Sequence, residues 1–338
     1  MSTLTEADVT SATAVAELTY REAIAAALDD EMAADPAVVL LGEDVATEGG
    51  VFKTNVGLVE KYGPERVRNT PICENTFVGV ALGMSLVGLR PVVEIMFSDF
   101  LPTAGDAIVN QLPKYRFMSG GQFAVPVTIR SIGGATGRFG TQHSATGESW
   151  FMHLPGLRIV TAATPGAAYE LLRAAIRDNN PVILYEHKGL YGRKGPVRRG
   201  AIGAIGRADV VRPGRDVTIV ATLLMVERSL QAADALAAEG IEAEVIDLRW
   251  IRPLDVETVR RSVERTGRLV VAEEQVHAGG WGATLISELT MDGLAWRHPP
   301  LAVSLPPDLP IPYSPPLEDA VLPSAATIGA AARTACGR

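Results

Sequence analysis

Two α/β domains in tandem, each organised around a mainly parallel sheet, are what the sequence predicts, and three features predict them. Short apolar runs alternate with segments of helical period. The alternation occurs twice along 338 residues, a length sufficient for two ordinary domains with substantial cores. Between the two series lies a stretch, 191–215, rich in Gly, Pro and Arg and poor in apolar period. Uninterrupted apolar strands suit sheets covered on both faces, and strand–helix alternation implies right-handed parallel crossovers. The boundaries drawn from this are a flexible arm at 1–16, a first domain at 17–190, a linker at 191–212 and a second domain at 213–338.

Thr19 with Glu22 three positions on forms a capping box, and Tyr20, Ala23, Ile24, Ala27 and Leu28 follow at helical spacing. Val38–Leu41 is a strand ending at Gly42. The helix after Glu74 carries Gly79 and Gly83 one turn apart; glycine costs helix stability relative to alanine, so their use suggests close approach of a neighbouring helix. Pro91–Phe97 reads as the next strand. A helix over about Thr103–Tyr115 should follow, bent or stopped near Asn110 because Pro113 lacks a helical N–H. Strands at Val125–Arg130, Ile159–Ala162 and Val182–Glu186, with a helix Gly166–Arg177, complete the first series. The second has strands at Val217–Ala221, Ala243–Leu248, Leu269–Ala272 and Leu301–Leu305, and helices at Val226–Ala238, Asp255–Thr266 and Trp281–Met291.

Composition narrows the function. A net charge of −8 argues against a nucleic-acid footprint, which needs a basic face. The short arginine-rich stretch Arg193–Arg199 reads as a solvated linker. Cys73 and Cys336 are too few and too far apart for a disulfide framework or a cysteine-based zinc site, and Cys73 reads as small apolar packing. No run of about 18 apolar residues suggests a membrane span. The first residues lack the marks of a secretory or mitochondrial leader, so the expected location is cytoplasmic.

The chemistry concentrates at Arg66-Val67-Arg68-Asn69-Thr70-Pro71-Ile72-Cys73-Glu74, which sets one carboxylate immediately before an apolar helix. In low-dielectric surroundings its proton affinity should rise, suiting it to exchange a proton with a bound heterocycle. A second candidate, His143 in Gln142-His143-Ser144, follows a glycine-rich loop (Gly133, Gly134, Gly137, Gly140) expected at the carboxyl edge of the sheet, where α/β active sites form.

These residues, with Leu41-Gly42-Glu43-Asp44-Val45, Gly49-Gly50-Val51-Phe52, Pro155-Gly156-Leu157, Arg177-Asp178-Asn179-Asn180-Pro181 and Asp247-Leu248-Arg249, stand in an order and spacing that resemble one family. It is the β subunit of the decarboxylating component of 2-oxo acid dehydrogenase complexes, a thiamine diphosphate (ThDP) family that includes the pyruvate, branched-chain 2-oxo acid and acetoin enzymes. The resemblance covers about Leu18 to Leu322. It implies a ThDP-type pyrimidine-binding domain followed by a transketolase C-terminal-like α/β domain.

By that resemblance Glu74 is the carboxylate beside N1′ of the aminopyrimidine, and His143 points into the cofactor cavity to orient or protonate intermediates. Met96 and Phe100 would lie against the aminopyrimidine, with core packing as the competing reading, and Ile72 would offer a backbone contact. The turn after Arg177 would bind potassium through Val127, Ala175, Ile176, Asp178 and Asn180, since helix-end carbonyls are free acceptors, with a simple helix stop before Pro181 as the competing reading. Ala145 departs from the common Gln-His-Ser-Gln pattern. Glu186-His187-Lys188 is similar to acetoin enzymes.

Two motifs are missing. No Gly-Asp-Gly is followed about 25 residues later by Asn, so by the resemblance the Mg2+ and diphosphate belong to an α subunit, in an α2β2 heterotetramer. No Gly-x-Gly-x-x-Gly occurs, which argues against dinucleotide binding. The implied reaction is oxidative decarboxylation of a small 2-oxo acid, pyruvate first, with acyl transfer to lipoamide on a lipoyl acyltransferase core. Acetoin or branched-chain substrates, a lipoyl-independent ThDP ligase or synthase, and a scaffold without catalysis stay open; retained Glu74 and His143 weigh against the scaffold.

Overall fold

The computed structural model describes residues 15–47 and 49–338; the arm expected at the start of the chain lies outside the described residues up to position 14. The first domain runs β1 (Val15–Thr19), α1 (Tyr20–Ala34), β2 (Val38–Gly42), α2 (Leu58–Tyr62), β3 (Val67–Asn69), α3 (Glu74–Leu86), β4 (Arg90–Ile95), α4 (Leu112–Met118), β5 (Thr128–Gly133), β6 (Arg158–Thr161), α5 (Pro165–Arg177), β7 (Val182–His187) and β8 (Lys194–Arg198). The second runs β9 (Asp209–Arg212), β10 (Val217–Ala221), α6 (Leu224–Ala238), β11 (Ala243–Asp247), β12 (Trp250–Arg252), α7 (Val256–Thr266), β13 (Leu269–Val276), α8 (Trp281–Met291), β14 (Leu301–Leu305), α9 (Pro315–Val321) and α10 (Ala325–Ala335).

Seven strands form the first sheet in the order β12-β6-β7-β5-β4-β2-β3, parallel except for β12. The second sheet is β14-β13-β10-β11-β9, parallel except for β9. Both sheets are covered on two faces, and each of the two large apolar clusters contains residues of both domains: Tyr20, Val92, Ile219 and Met225 in one, Val39, Phe77, Val220 and Trp281 in the other. The domains therefore share a continuous core, and burial couples their stability.

The helix starts follow their local chemistry. Thr19 and Glu22 close the capping box, with the Thr19 N–H donating to Glu22 Oε2 at 2.7 Å. Asp255 caps α7, and Thr164 caps α5 ahead of Pro165. Arg66 and Asn69, part of the marked motif, serve the fold: Arg66 donates to the carbonyls of Met32, Asp35 and Val38, and the Asn69 side chain bonds Ala46 N–H and Thr47 Oγ1.

Several expectations need correction. The segment Thr103–Tyr115 is not one α-helix. A 3-10 passage at Ser98–Ala104 leads into a π turn at Ala107–Gln111 and then α4, in which Pro113 is the second residue. The helix does not stop near Asn110; the departure expected there takes the form of the π turn. The widened turn lets the Leu112 N–H reach the Ala107 carbonyl, so the donor that Pro113 lacks is absorbed without a break. Gly156, at φ +91°, explains its own motif: a Cβ there would lie 2.0 Å from the Pro113 carbonyl oxygen. Gly79 and Gly83 face open space with nothing within 4 Å, so no helix of this chain packs on them. Cys73 is exposed rather than packed, because it precedes α3 on the open side of the chain. Arg193–Arg199 is not merely solvated: Lys194–Arg198 is β8, antiparallel to β1, Arg193 makes a two-pronged ion pair with Glu227, and Arg199 pairs with Asp30. After β11 the chain returns to the first domain to add β12 as an antiparallel edge, Trp250 opposite Val160.

At the centre of the first sheet, Arg130 on β5 is fully buried. It donates twice to Glu186 of β7 (2.7 and 3.0 Å), to Glu94 of β4 (2.7 Å) and to Asn55 (3.2 Å). Arg130→Met leaves two carboxylates buried without a cation. It is expected to lower unfolding stability by about 3–5 kcal/mol, read from the shift in the urea midpoint followed by tryptophan fluorescence.

Candidate active site

The carboxyl ends of β3, β2, β4, β5 and β7 lie side by side along one edge. The chain leaves β2 toward β3 and leaves β4 toward β5, so the crevice between β2 and β4 is where connections diverge and where ligands of open α/β sheets bind. Residues Gly42-Glu43 end one wall and Met96-Phe97 the other.

Glu74 opens α3 five residues beyond the end of β3, at this edge. It is half-exposed, so the low-dielectric surroundings expected of it are not supplied by this chain. Beside it, burial first and then the Glu74 charge push the Glu43 carboxyl up. Glu43 Oε1 and Thr70 Oγ1 are buried without a hydrogen-bond partner. Ile72 is 84% exposed, and the outer face of α3 continues outward with Gly79, Val80 and Gly83. A row of polar atoms awaiting partners thus borders an uncovered apolar face.

His143 lies along the same edge above β4, β5 and β7. Its ring meets Phe97 edge-on at 4.7 Å and Phe100 at 5.4 Å, so Phe100 and His143 share one aromatic cluster. Met96, half-buried, directly follows β4. Phe52, from the Gly49-Gly50-Val51-Phe52 motif, packs on Phe97 at 5.5 Å and on Tyr191 at 5.6 Å.

The glycine-rich loop holding His143 is pinned from both domains. Gly134, at φ +87°, leaves no room for a side chain: a Cβ would lie 2.1 Å from His187 Nε2. His187 at the end of β7 accepts from the Gly189 N–H on Nδ1, so its proton sits on Nε2, 3.1 Å from Glu274 Oε2 of β13. Glu274 also accepts the Ala135 N–H at 2.6 Å; burial opposes its charge, but His187 and that N–H hold its carboxyl below the usual range. Glu318 of α9 accepts the Thr136 N–H, Thr141 donates to the Ile311 carbonyl, and Arg138 pairs with Asp319. Sequence reasoning missed this clasp, since its acids come from about 140 and 180 residues downstream. It also missed Lys188, whose ammonium donates to the His143 carbonyl at 2.5 Å; the Glu186-His187-Lys188 triplet was the available signal. A cavity of about 320 Å³ lies behind the loop, lined by Asp99, Ala145, Thr146, Glu274, Gly280 and Ile311 among others; neither Glu74 nor His143 lines it.

The turn after α5 gathers its predicted residues. Val127 lies just before β5, its carbonyl accepting the Val182 N–H. The Ala175 carbonyl accepts the Asp178 N–H, and Asp178 Oδ1 accepts two bonds from Asn180. Arg90 donates to the carbonyls of Ile176 and Asp178. The set is all oxygen, the ligand type a hard cation takes, and each carbonyl keeps a second lone pair. Arg90 already satisfies part of it.

Comparison with known proteins agrees with this architecture. The transketolase pyrimidine binding domain family matches residues 16–194, and the transketolase C-terminal domain family matches 206–328. The chain is 44% identical to the β subunit of acetoin:2,6-dichlorophenolindophenol oxidoreductase of Cupriavidus necator, covering 94% of this chain and 97% of that one. It is 43% identical to the mitochondrial pyruvate dehydrogenase E1 component subunit beta-2 of Oryza sativa subsp. japonica, covering 96% and 88%. The chain belongs to the family of 2-oxo acid dehydrogenase E1 β subunits. Among solved structures, a split-gene transketolase in an inactive β4 tetramer superposes with a TM-score of 0.78 at 27% identity, over 95% of this chain and 99% of that one. As an E1 β subunit the chain works as one part of an α/β assembly.

The clasp should be visible in acid. Because the Glu274 carboxyl is held low in the fold, its stabilising contribution is fully present above its ordinary value of 4.5 and is lost as pH falls through the lower folded value. Glu274→Gln should therefore be less stable than the wild type at neutral pH, with the gap closing on acidification, as read from urea midpoints at stepped pH.

Proposed function

We propose that this β subunit supplies the aminopyrimidine half of a ThDP site and that an α subunit, in an α2β2 heterotetramer, supplies the diphosphate half with its Mg2+. The observation that carries this reading is the state of the β2–β4 crevice. Glu74, the partnerless Glu43 Oε1 and Thr70 Oγ1, and the bare face from Ile72 along α3 border a site that one chain leaves open. The sequence carries no Gly-Asp-Gly motif to complete it.

When bound, ThDP supplies an electron sink at its thiazolium carbon for cleaving a bond next to a carbonyl. Glu74 holds a proton at the ring nitrogen N1′, and a covering subunit would raise its proton affinity by removing water. Ile72 offers a main-chain group to the ring, while Met96 and Phe100 provide apolar contact area. His143, backed by Phe97 and Phe100, orients the reacting carbonyl or passes it a proton. Val127, Ala175, Ile176, Asp178 and Asn180 would hold potassium as a structural ion, and no step passes through it.

The substrate we favour is pyruvate, with acyl transfer to lipoamide on an acyltransferase core. Acetoin is the second reading. The name of the Cupriavidus relative and the resemblance of Glu186-His187-Lys188 to acetoin enzymes favour it.

The test is co-expression with an α chain bearing the diphosphate motif and assay on pyruvate, branched-chain 2-oxo acids and acetoin. Glu74→Gln is expected to lower kcat by about 100-fold or more while the assembly remains intact by size-exclusion chromatography. Full turnover by that variant would remove Glu74 from the mechanism.

A further inference from the structure

Lys188 follows β7 in a short 3-10 turn. Its Nζ lies 5.2 Å from the ring centres of both Phe97 and Phe139, and it donates to the main-chain carbonyl of His143. Phe97 also meets the His143 ring edge-on and lies 5.9 Å from Phe139. One ammonium therefore joins the end of β4, the glycine-rich loop and the end of β7. Acids approach from three elements: Asp99 from the 3-10 passage after β4, Glu274 from β13 and Glu318 from α9. Asp99 and Glu274 are themselves engaged, by the Ala145 N–H and by His187 with the Ala135 N–H, and Glu318 accepts the Thr136 N–H. Among the described residues none of these acids forms an ion pair with Lys188. Its charge is directed at two aromatic rings and one carbonyl; Phe97 touches the His143 ring and the carbonyl is that of His143 itself.

We propose that Lys188 is the positioning residue of His143, its ammonium fastening the His143 carbonyl to the end of β7 and so fixing where the imidazole stands above the sheet edge. The proposal rests on His143 acting in the site described above. Burial lowers the Lys188 pKa to about 8, so the fastener loses its charge within the range where such an enzyme can be assayed. A neutral amine keeps a weaker hydrogen bond to the carbonyl but not the attraction to the rings.

The test uses the assembled α–β enzyme with Lys188→Met and Lys188→Arg, reading kcat, KM, ThDP affinity and amide hydrogen exchange across residues 139–145. Lys188→Met is expected to lower kcat about 100-fold, as a misplaced group does, with KM and ThDP affinity within about twofold and faster exchange confined to 139–145. Lys188→Arg should recover most of the rate and move the alkaline limb of the kcat–pH profile upward, because guanidinium stays charged. Unchanged kcat and exchange in Lys188→Met would overturn the proposal. So would faster exchange spread through the whole sheet, or no recovery in Lys188→Arg. Should Lys188→Met not assemble, wild-type exchange at 139–145, corrected for its intrinsic pH dependence, decides: it rises through about pH 8 if the ammonium is the fastener and stays flat if not. Exchange does not depend on turnover. A wild-type assembly inert toward every 2-oxo acid and acetoin would sink the functional reading while the exchange result still judges Lys188.

Discussion

One buried cation holds the site's foundations in register. Arg130 stands on the central strand β5 with Glu94 directly opposite on β4 and Glu186 on β7. Burial opposes its charge, but the Glu186 and then the Glu94 carboxylates outweigh that and raise its pKa further. Taking three charges out of water is expensive, so the arrangement persists only because the surroundings complete it: Asn55 and Thr54 bond Glu94, and Tyr191 bonds Glu186. The consequence lies one to four residues farther along each strand. Glu94 precedes Met96 and Phe97, Arg130 precedes Gly133 and Gly134, and Glu186 precedes His187 and Lys188. A slip of one residue would turn every one of these side chains to the other face. The ion network thereby sets where the aromatic cluster and the clasp can form.

The second domain then holds the loop that leads to His143. Without Glu274 and Glu318 the N–H groups of Ala135 and Thr136 would lose their acceptors, and the loop would be left to the contacts of Arg138, Thr141 and the Lys188 ammonium. The shared core explains why the clasp can be rigid: β13 is joined to the first domain through clusters that run across both, and Leu322, just past α9, packs with Ala135 of the loop. On the opposite side of the crevice the reverse holds. Glu74, Ile72 and the glycine face of α3 are left uncovered by this polypeptide, as suits a family whose members work with an α chain. One wall of the crevice is finished and the other waits for a partner.

Much of this was legible from residues alone. The capping box at Thr19, the strand Val38–Leu41 and the helix Trp281–Met291 were written in local chemistry and period, which act over one or two turns of chain. The motif order identified the family, and with it Glu74 and His143 as the residues to watch. What escaped was whatever depended on distant partners. The extra antiparallel edge β12 is three residues long and has no period to recognise. The π turn before Pro113 resolves a conflict that the sequence displays but does not solve. Gly79 and Gly83 signalled close packing, and nothing within the chain answers them.

The sequence by itself determined the alternation of strands and helices and the division into two α/β units, because each is encoded by neighbours in the chain. Only the tertiary structure decided that Arg130 would bind two acids on adjacent strands, that Glu274 and Glu318 would grip the glycine-rich loop, and that Lys188 would reach the His143 carbonyl. Those choices depend on which charged groups meet after burial, and burial is a property of the whole fold rather than of any segment.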